Sequence, residues 1–114
     1  MNHPRRGEVY WVNLDPAIGS EISKKRPAVV ISNNVGNEYA GRVIVAPVTT
    51  KGGDRVYPFE VKLEKGEGGV KEASKVLLDQ IRTVDKSRLS TKLGALGPPT
   101  LEKINRAIRL SLDV

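Results

Sequence analysis

The chain has no cysteine. Disulfide staples, thiolate metal sites and cysteine nucleophiles are excluded outright. Histidine occurs once, as His3 in a polar N-terminal stretch. One chain therefore cannot build an active site on a histidine pair, or a zinc site of several imidazoles. Aromatic residues make up only 4%, which argues against a broad platform for stacking many bases. No apolar run approaches the roughly 20 residues that a membrane-spanning helix needs. The basic opening, Met1-Asn2-His3-Pro4-Arg5-Arg6, has no apolar stretch behind it, unlike a secretory signal. These absences predict a soluble, cytoplasmic protein with no membrane contact.

What is present is a normal globular balance, 39% hydrophobic and 28% charged. At 114 residues the chain can bury one core but not two, so residues 1–114 are read as a single domain. The formal net charge is +6. That excess favours a polyanionic partner, either nucleic acid or an acidic polypeptide, against the plainer reading of charge kept for solubility. With so few aromatics, phosphate contacts would carry most of the affinity for RNA.

Along the chain, Gly7 to Leu14 is β-branched and aromatic and stops at Asp15-Pro16, which predicts a strand. A polar loop from Ala17 to Arg26 carries Gly19 and the basic triplet Lys24-Lys25-Arg26. Ala28 to Ile31 and Val43 to Val48 are short continuous apolar runs, the pattern of buried strands. Pro27 opens the first, and Pro47 marks an edge or bulge near the end of the second. Asn33 to Asn37 reads as a turn or a single helical turn. Tyr57 to Leu63, Lys75 to Leu78 and Gln80 to Val84 are further short strands, with a glycine-rich connection from Glu64 to Gly69. After Pro98-Pro99-Thr100, apolar residues at Leu101, Ile104, Ala107, Ile108 and Leu112 fall at helical spacing. Thr100 is the natural N-cap of this amphipathic helix of about three turns. Glu102 and Arg106 pair on its exposed face. Many short strands followed by one helix predict a mainly β, α+β architecture, a small twisted barrel with the helix packed on it.

Five segments, in this order and spacing, carry a likeness over Arg6 to Leu112. They are Gly7 to Pro16 with Gly19-Ser20-Glu21, Arg26 to Ser32, Val45 to Thr50, Tyr57 to Val61, and Asp79-Gln80-Ile81-Arg82-Thr83. Together they resemble the MazF/PemK/Kid family of toxin endoribonucleases. The resemblance implies an SH3-like β-barrel with accessory helices, a homodimer, and cleavage of single-stranded mRNA at short sequence motifs. It implies products ending in a 2′,3′-cyclic phosphate and a 5′-hydroxyl. It also implies inhibition by an acidic, partly disordered antitoxin.

RNA carries its own nucleophile, the 2′-hydroxyl. A nuclease that uses it needs a base for that proton, a cation beside the phosphorane and an acid for the leaving 5′-oxygen, with no metal or other cofactor. Arg26 is the first candidate, because a guanidinium stays charged and its fork matches two phosphate oxygens. It sits where a flexible loop meets a strand, and a family arginine before proline resembles it. Thr49, at the end of a buried strand, has a hydroxyl that can donate to a phosphate oxygen; the matching family threonine is implicated in catalysis. Thr50 is adjacent and can substitute for it. Glu21, five residues from Arg26, and Asp79 compete for the role of base. The family pattern can hold a histidine where this chain has Ser20 and an arginine where it has Leu77, so acid and base stay open. Ser20, Lys24, Lys25, Thr50, Gln80 and Arg82 complete the expected RNA contacts, with bracing of the loop the favoured role for Gln80 and a carboxylate the alternative partner for Arg82. Tyr10 and Trp11 are read as core or dimer-contact residues. The alternative is a non-hydrolytic module, since CcdB-type toxins share the small barrel but poison DNA gyrase by binding it.

Overall fold

The computed structural model describes residues 3–52 and 54–114. Seven strands follow in chain order: β1 (Glu8–Asn13), β2 (Lys25–Val30), β3 (Arg42–Thr49), β4 (Glu60–Leu63), β5 (Ser74–Leu77), β6 (Arg82–Asp85) and β7 (Leu89–Ala95). Helix α1 (Asn34–Tyr39) lies between β2 and β3, and helix α2 (Pro98–Leu112) ends the chain. The sheet runs β4-β5-β3-β2-β1-β7, with β6 also paired to β3. Every pairing is antiparallel.

Strand β3 organises this sheet because two strands share one of its edges. Arg42 to Val45 pair with β6, whereas Val48 and Thr49 pair with β5. Pro47 falls in the gap between the two partners, where a residue with no N–H to donate leaves nothing unpaired. Both faces of β2 and β3 are covered, which is why they read as continuous apolar runs rather than alternating ones. On one face Val9, Val29, Ala46, Val48, Val61, Leu63, Val76 and Leu78 pack with Ile104 and Ala107 of α2. On the other face Val12, Leu14, Ala28, Val30, Val43, Val45 and Val84 form a second cluster, walled by Tyr10, Ile22 and Leu89. Fully burying each such side chain stabilises the fold by about 1.5–3 kcal/mol.

The architecture matches the expected small β fold, but the barrel is open. Among the described residues no ladder joins β4 to β7. Instead the β4–β5 connection, a 3-10 turn at Glu67–Gly69, folds against β7. A Cβ at Gly69, whose φ is +85, would collide with the Leu93 carbonyl, so a side chain there would push the turn off β7.

Several boundaries differ from expectation. Helix α2 starts two residues before Thr100: Gly97 is its cap, and Pro98 and Pro99 fill the first positions, where a missing N–H costs nothing. Thr100 Oγ1 donates instead to Glu67 Oε2 at 2.7 Å and ties the 3-10 turn to the helix. The helix has 15 residues, a turn more than predicted. Tyr57 and Pro58 belong to a turn closed by Glu60 N on the Tyr57 carbonyl at 2.9 Å, so β4 is shorter than its alternation suggests. Gln80 also lies in a turn. Strand β7 has no counterpart in the expectations, because Leu89-Ser-Thr-Lys-Leu-Gly-Ala shows neither a continuous apolar run nor a regular alternation. Its pairing with β1, interrupted by two register shifts, defines it.

Candidate functional site

The register of β2 on β3 sets Ala28 against Pro47, Val29 against Ala46 and Val30 against Val45. Continued two residues past Ala28, it sets Arg26 across from Thr49. Two independent pairings put both side chains on the same face of the sheet. Arg26 opposes Val12 of the second cluster. Thr49 follows Val48, which faces the first cluster, and successive strand residues alternate.

The half-buried Arg26 guanidinium donates through Nε to the Ser23 carbonyl at 2.8 Å and has no carboxylate partner among the described residues. Its base is therefore fixed by the loop while its two terminal nitrogens stay available. Thr49 is 7% exposed, and its Oγ1 accepts from Lys51 N at 3.1 Å. A hydroxyl that accepts from a backbone N–H keeps its own proton for donation elsewhere.

The Asp15–Lys24 loop closes over the same face. Asp15-Pro16 is a cis peptide, and Lys24 has φ +71, a left-handed backbone that turns the chain into β2. Asp15 Oδ1 accepts from Lys24 N at 2.9 Å, and Leu14 N donates to the Lys24 carbonyl at 2.9 Å. Gln80 Oε1 accepts from Ile22 N at 2.7 Å, so its expected bracing role is observed and its amide N–H groups are left over. Arg82, opposite Val45 on this face, donates to the Leu14 carbonyl at 2.8 Å. Ser20, Glu21, Ile22, Asp79, Gln80, Ile81 and Arg82 thereby line a cleft of about 480 Å³. The two rival carboxylates, Glu21 and Asp79, share this cleft. Glu21 Oε1 accepts from Ile18 N at 2.6 Å in this arrangement. The exposed Lys24 stands at the loop's end.

Lys25, Arg26, Thr49 and Thr50 are not among the residues lining that cleft. They line a cleft of about 300 Å³ whose floor is the segments Lys25–Pro27 and Val48–Thr50 and whose apolar walls are Trp11, Val70 and Leu93. Trp11, Val48 and Leu93 belong to the face of the first cluster, and Arg26 and Thr49 line this cleft too. Trp11, expected in a core or a dimer contact, is 39% exposed on its wall and so is not a core residue. Lys71 and Glu72 at the rim went unnoticed in the sequence, because a polar loop offers no periodic signal. Lys75, buried to 7%, was also missed, although a lysine inside the apolar strand Ser74-Lys75-Val76-Leu77 is itself unusual. Among the described residues no three His, Asp or Glu side chains cluster to hold a metal ion, and no helix is long and apolar enough to cross a membrane.

Known proteins resemble the chain over nearly its whole length. An endoribonuclease MazF of Staphylococcus saprophyticus is 43% identical over 110 residues, covering 96% of this chain and 92% of that protein. The crystal structure of MazF from Deinococcus radiodurans superposes with a TM-score of 0.85 at 30% identity, over 100% of both chains. An endoribonuclease solved in complex with its cognate antitoxin, from a mycobacterial species, gives a TM-score of 0.81 at 29% identity, over 97% of this chain and 96% of that one. The family model of the PemK-like, MazF-like toxins of type II toxin–antitoxin systems matches residues 5–112, and the chain belongs to that family.

Proposed function

We propose that the protein is a toxin endoribonuclease that cuts single-stranded RNA by attack of the ribose 2′-hydroxyl on the adjacent phosphorus. The observation that carries this reading is that Arg26 and Thr49, on the adjoining strands β2 and β3, line one cleft together with Lys25 and Thr50. The 2′-oxygen forms a bond to phosphorus, the bond to the 5′-oxygen breaks, and the products are a 2′,3′-cyclic phosphate and a 5′-hydroxyl. Arg26 clamps two non-bridging oxygens as charge accumulates on the phosphorane. The Thr49 hydroxyl donates to the same phosphate. A carboxylate takes the 2′-proton: Glu21 by releasing Ile18 N, or Asp79 from the facing wall of the cleft these two carboxylates share. Gln80 offers its free amide hydrogens to a base edge, and Ser20, Lys24 and Arg82 line the approach. The departing 5′-oxygen takes its proton from water, and these side chains complete the chemistry without a metal cofactor.

The cleft that Arg26 and Thr49 line also suits the second expected partner. Its apolar walls with Lys25 and Lys71 at the rim fit a hydrophobic side chain carried on an acidic antitoxin segment. Lys25 and Thr50 serve that partner as well as RNA. A homodimer, as the family resemblance implies, would extend the RNA track across two copies.

The direct test is to incubate the purified protein with a long single-stranded RNA in EDTA and to map the fragment ends. Defined fragments with cyclic-phosphate and 5′-hydroxyl ends are expected. Intact RNA, together with inhibition of gyrase supercoiling, would instead favour a binding toxin.

A further inference from the structure

We propose that Lys75 is a positioning residue for the RNA-cleaving centre, holding the Thr49 hydroxyl in its donating orientation through the loop that follows β3. This inference rests on the nuclease reading of Arg26 and Thr49. Lys75 is the ladder partner of Thr49, so the two side chains leave the same face of the sheet. Lys62 of β4 is its partner on the other side. Lys62 is half exposed and reaches Glu64 at 3.9 Å. Lys75 is buried, and its ammonium makes two short contacts, one to Glu60 Oε1 and one to the Arg55 carbonyl, each 2.9 Å. The Glu60 side chain is buried almost as deeply, at 8% exposure against 9% for Lys75.

The ammonium lies beneath the loop that joins Thr49 to β4. A Cβ placed on Gly52 would stand 2.6 Å from Lys75 Nζ and 2.9 Å from its Cε, and Gly52 has φ +94. The same nitrogen lies 5.9 Å from the centre of the Tyr57 ring, over which Arg55 also sits and against which Phe59 stacks at 5.6 Å. Glu60 Oε1 further accepts from Tyr57 N at 3.0 Å. One buried cation thus packs against Gly52 near the start of this loop and bonds the Arg55 carbonyl further along it. The loop begins with the turn in which Lys51 N donates to Thr49 Oγ1, one residue before Gly52. Losing the grip frees Lys51 to swing, and with it the bond that orients the Thr49 hydroxyl. A charged pair buried this completely is seldom the most stabilising choice for the site, since well-packed apolar residues of the same volume often do as well. Its value lies in geometry, where a misplacement of about 1 Å at a reacting group costs up to about 100-fold in rate.

The test is steady-state cleavage of a short single-stranded RNA with one cut site, by the wild-type chain, Lys75→Met, Thr49→Ala and the double variant. Lys75→Met is expected to lower kcat about 30- to 100-fold with KM changed less than about 3-fold. Adding Lys75→Met to Thr49→Ala should cost less than about 2-fold more, because residues acting as one unit are not additive. Multiplicative losses in the double variant, or a wild-type kcat in Lys75→Met, would overturn the proposal. Should Lys75→Met lose its native circular dichroism, Gly52→Ala in the exposed loop decides the matter: about a 10-fold fall in kcat is expected, absent in the Thr49→Ala background. Intact RNA with the wild-type chain would sink the nuclease reading itself, an outcome read from that arm alone.

Discussion

The two faces of the β2–β3 segment are built from alternate residues of the same strands, yet they differ in kind. In front, Arg26 meets a loop whose polar groups are bonded one by one, Arg26 to Ser23, Ile22 to Gln80 and Leu14 to Arg82, while Thr49 is held by its own turn at Lys51. Behind, Trp11, Pro27, Val48, Val70 and Leu93 leave an apolar hollow that Arg26 and Thr49 also border. A transition state needs fixed dipoles aimed at developing charge, which the front supplies. A partner peptide needs an apolar pocket that a large side chain can fill, which the back supplies. Strand alternation lets one short segment do both, and it couples them through a shared backbone.

The largest expected effect is on the front. Arg26→Ala should lower cleavage by about 100- to 1000-fold, the cost of losing one donor to a developing oxyanion. Its fold should survive, because the side chain makes one hydrogen bond and no ion pair among the described residues. Rates and circular dichroism measured together check this, and a variant that loses its fold would make Arg26 a structural residue. A smaller effect is expected behind. Trp11→Ala should weaken binding of an acidic antitoxin peptide by about 30-fold, as for a central aromatic anchor worth roughly 2 kcal/mol. The loss in cleavage should be far smaller. Parallel losses in both assays would show that the two faces are one site.

How much of this was legible in the sequence differs between the faces. Arg26 and Thr49 could be singled out because each stands where an apolar run meets a polar loop, and the runs Ala28–Ile31 and Val43–Val48 became β2 and β3. The register that sets them opposite one another depends on long-range pairing, which no local pattern encodes. The back cleft was invisible: Val70, Lys71 and Glu72 come from a loop, and Leu93 from β7, whose irregular sequence takes its strand character from β1. Thr100 was misplaced as a cap because two prolines can themselves open a helix, which released its hydroxyl for Glu67. Lys75 shows the limit from the other side, since its burial depends on Glu60, a residue fifteen positions away in another strand.

The smallest effect concerns β1, the strand behind both faces. Tyr10 OH donates to Glu8 Oε1 at 2.8 Å, and Glu8 also receives Arg5 N at 2.8 Å and Lys92 Nζ at 2.7 Å. Burial, with the Glu8 bond and charge added, pushes the Tyr10 phenol up from 10.0 to about 12. Burial acts to raise the Glu8 carboxyl, but the bonds from Lys92, Arg5 and Tyr10 outweigh it and hold the carboxyl below its ordinary 4.5. A group with a raised folded value stabilises fully below its unfolded value, so Tyr10's contribution is present below pH 10 and disappears as pH rises towards about 12. Glu8 works in the opposite sense: its contribution is present above 4.5 and is lost as pH falls through its lowered value. Tyr10→Phe should therefore flatten the alkaline limb of a urea-melt stability profile. It should also move the acid limb upward, since Glu8 loses a donor. The cost at neutral pH should be about 1 kcal/mol, that of one partly screened hydrogen bond to a charged group. Cleavage at neutral pH should change little, because Tyr10 faces the Leu14–Val45 cluster rather than the Glu21–Asp79 cleft. An unaltered alkaline limb would mean that the Tyr10–Glu8 bond does not persist in solution, and that β1 contributes packing alone to the sheet both faces share.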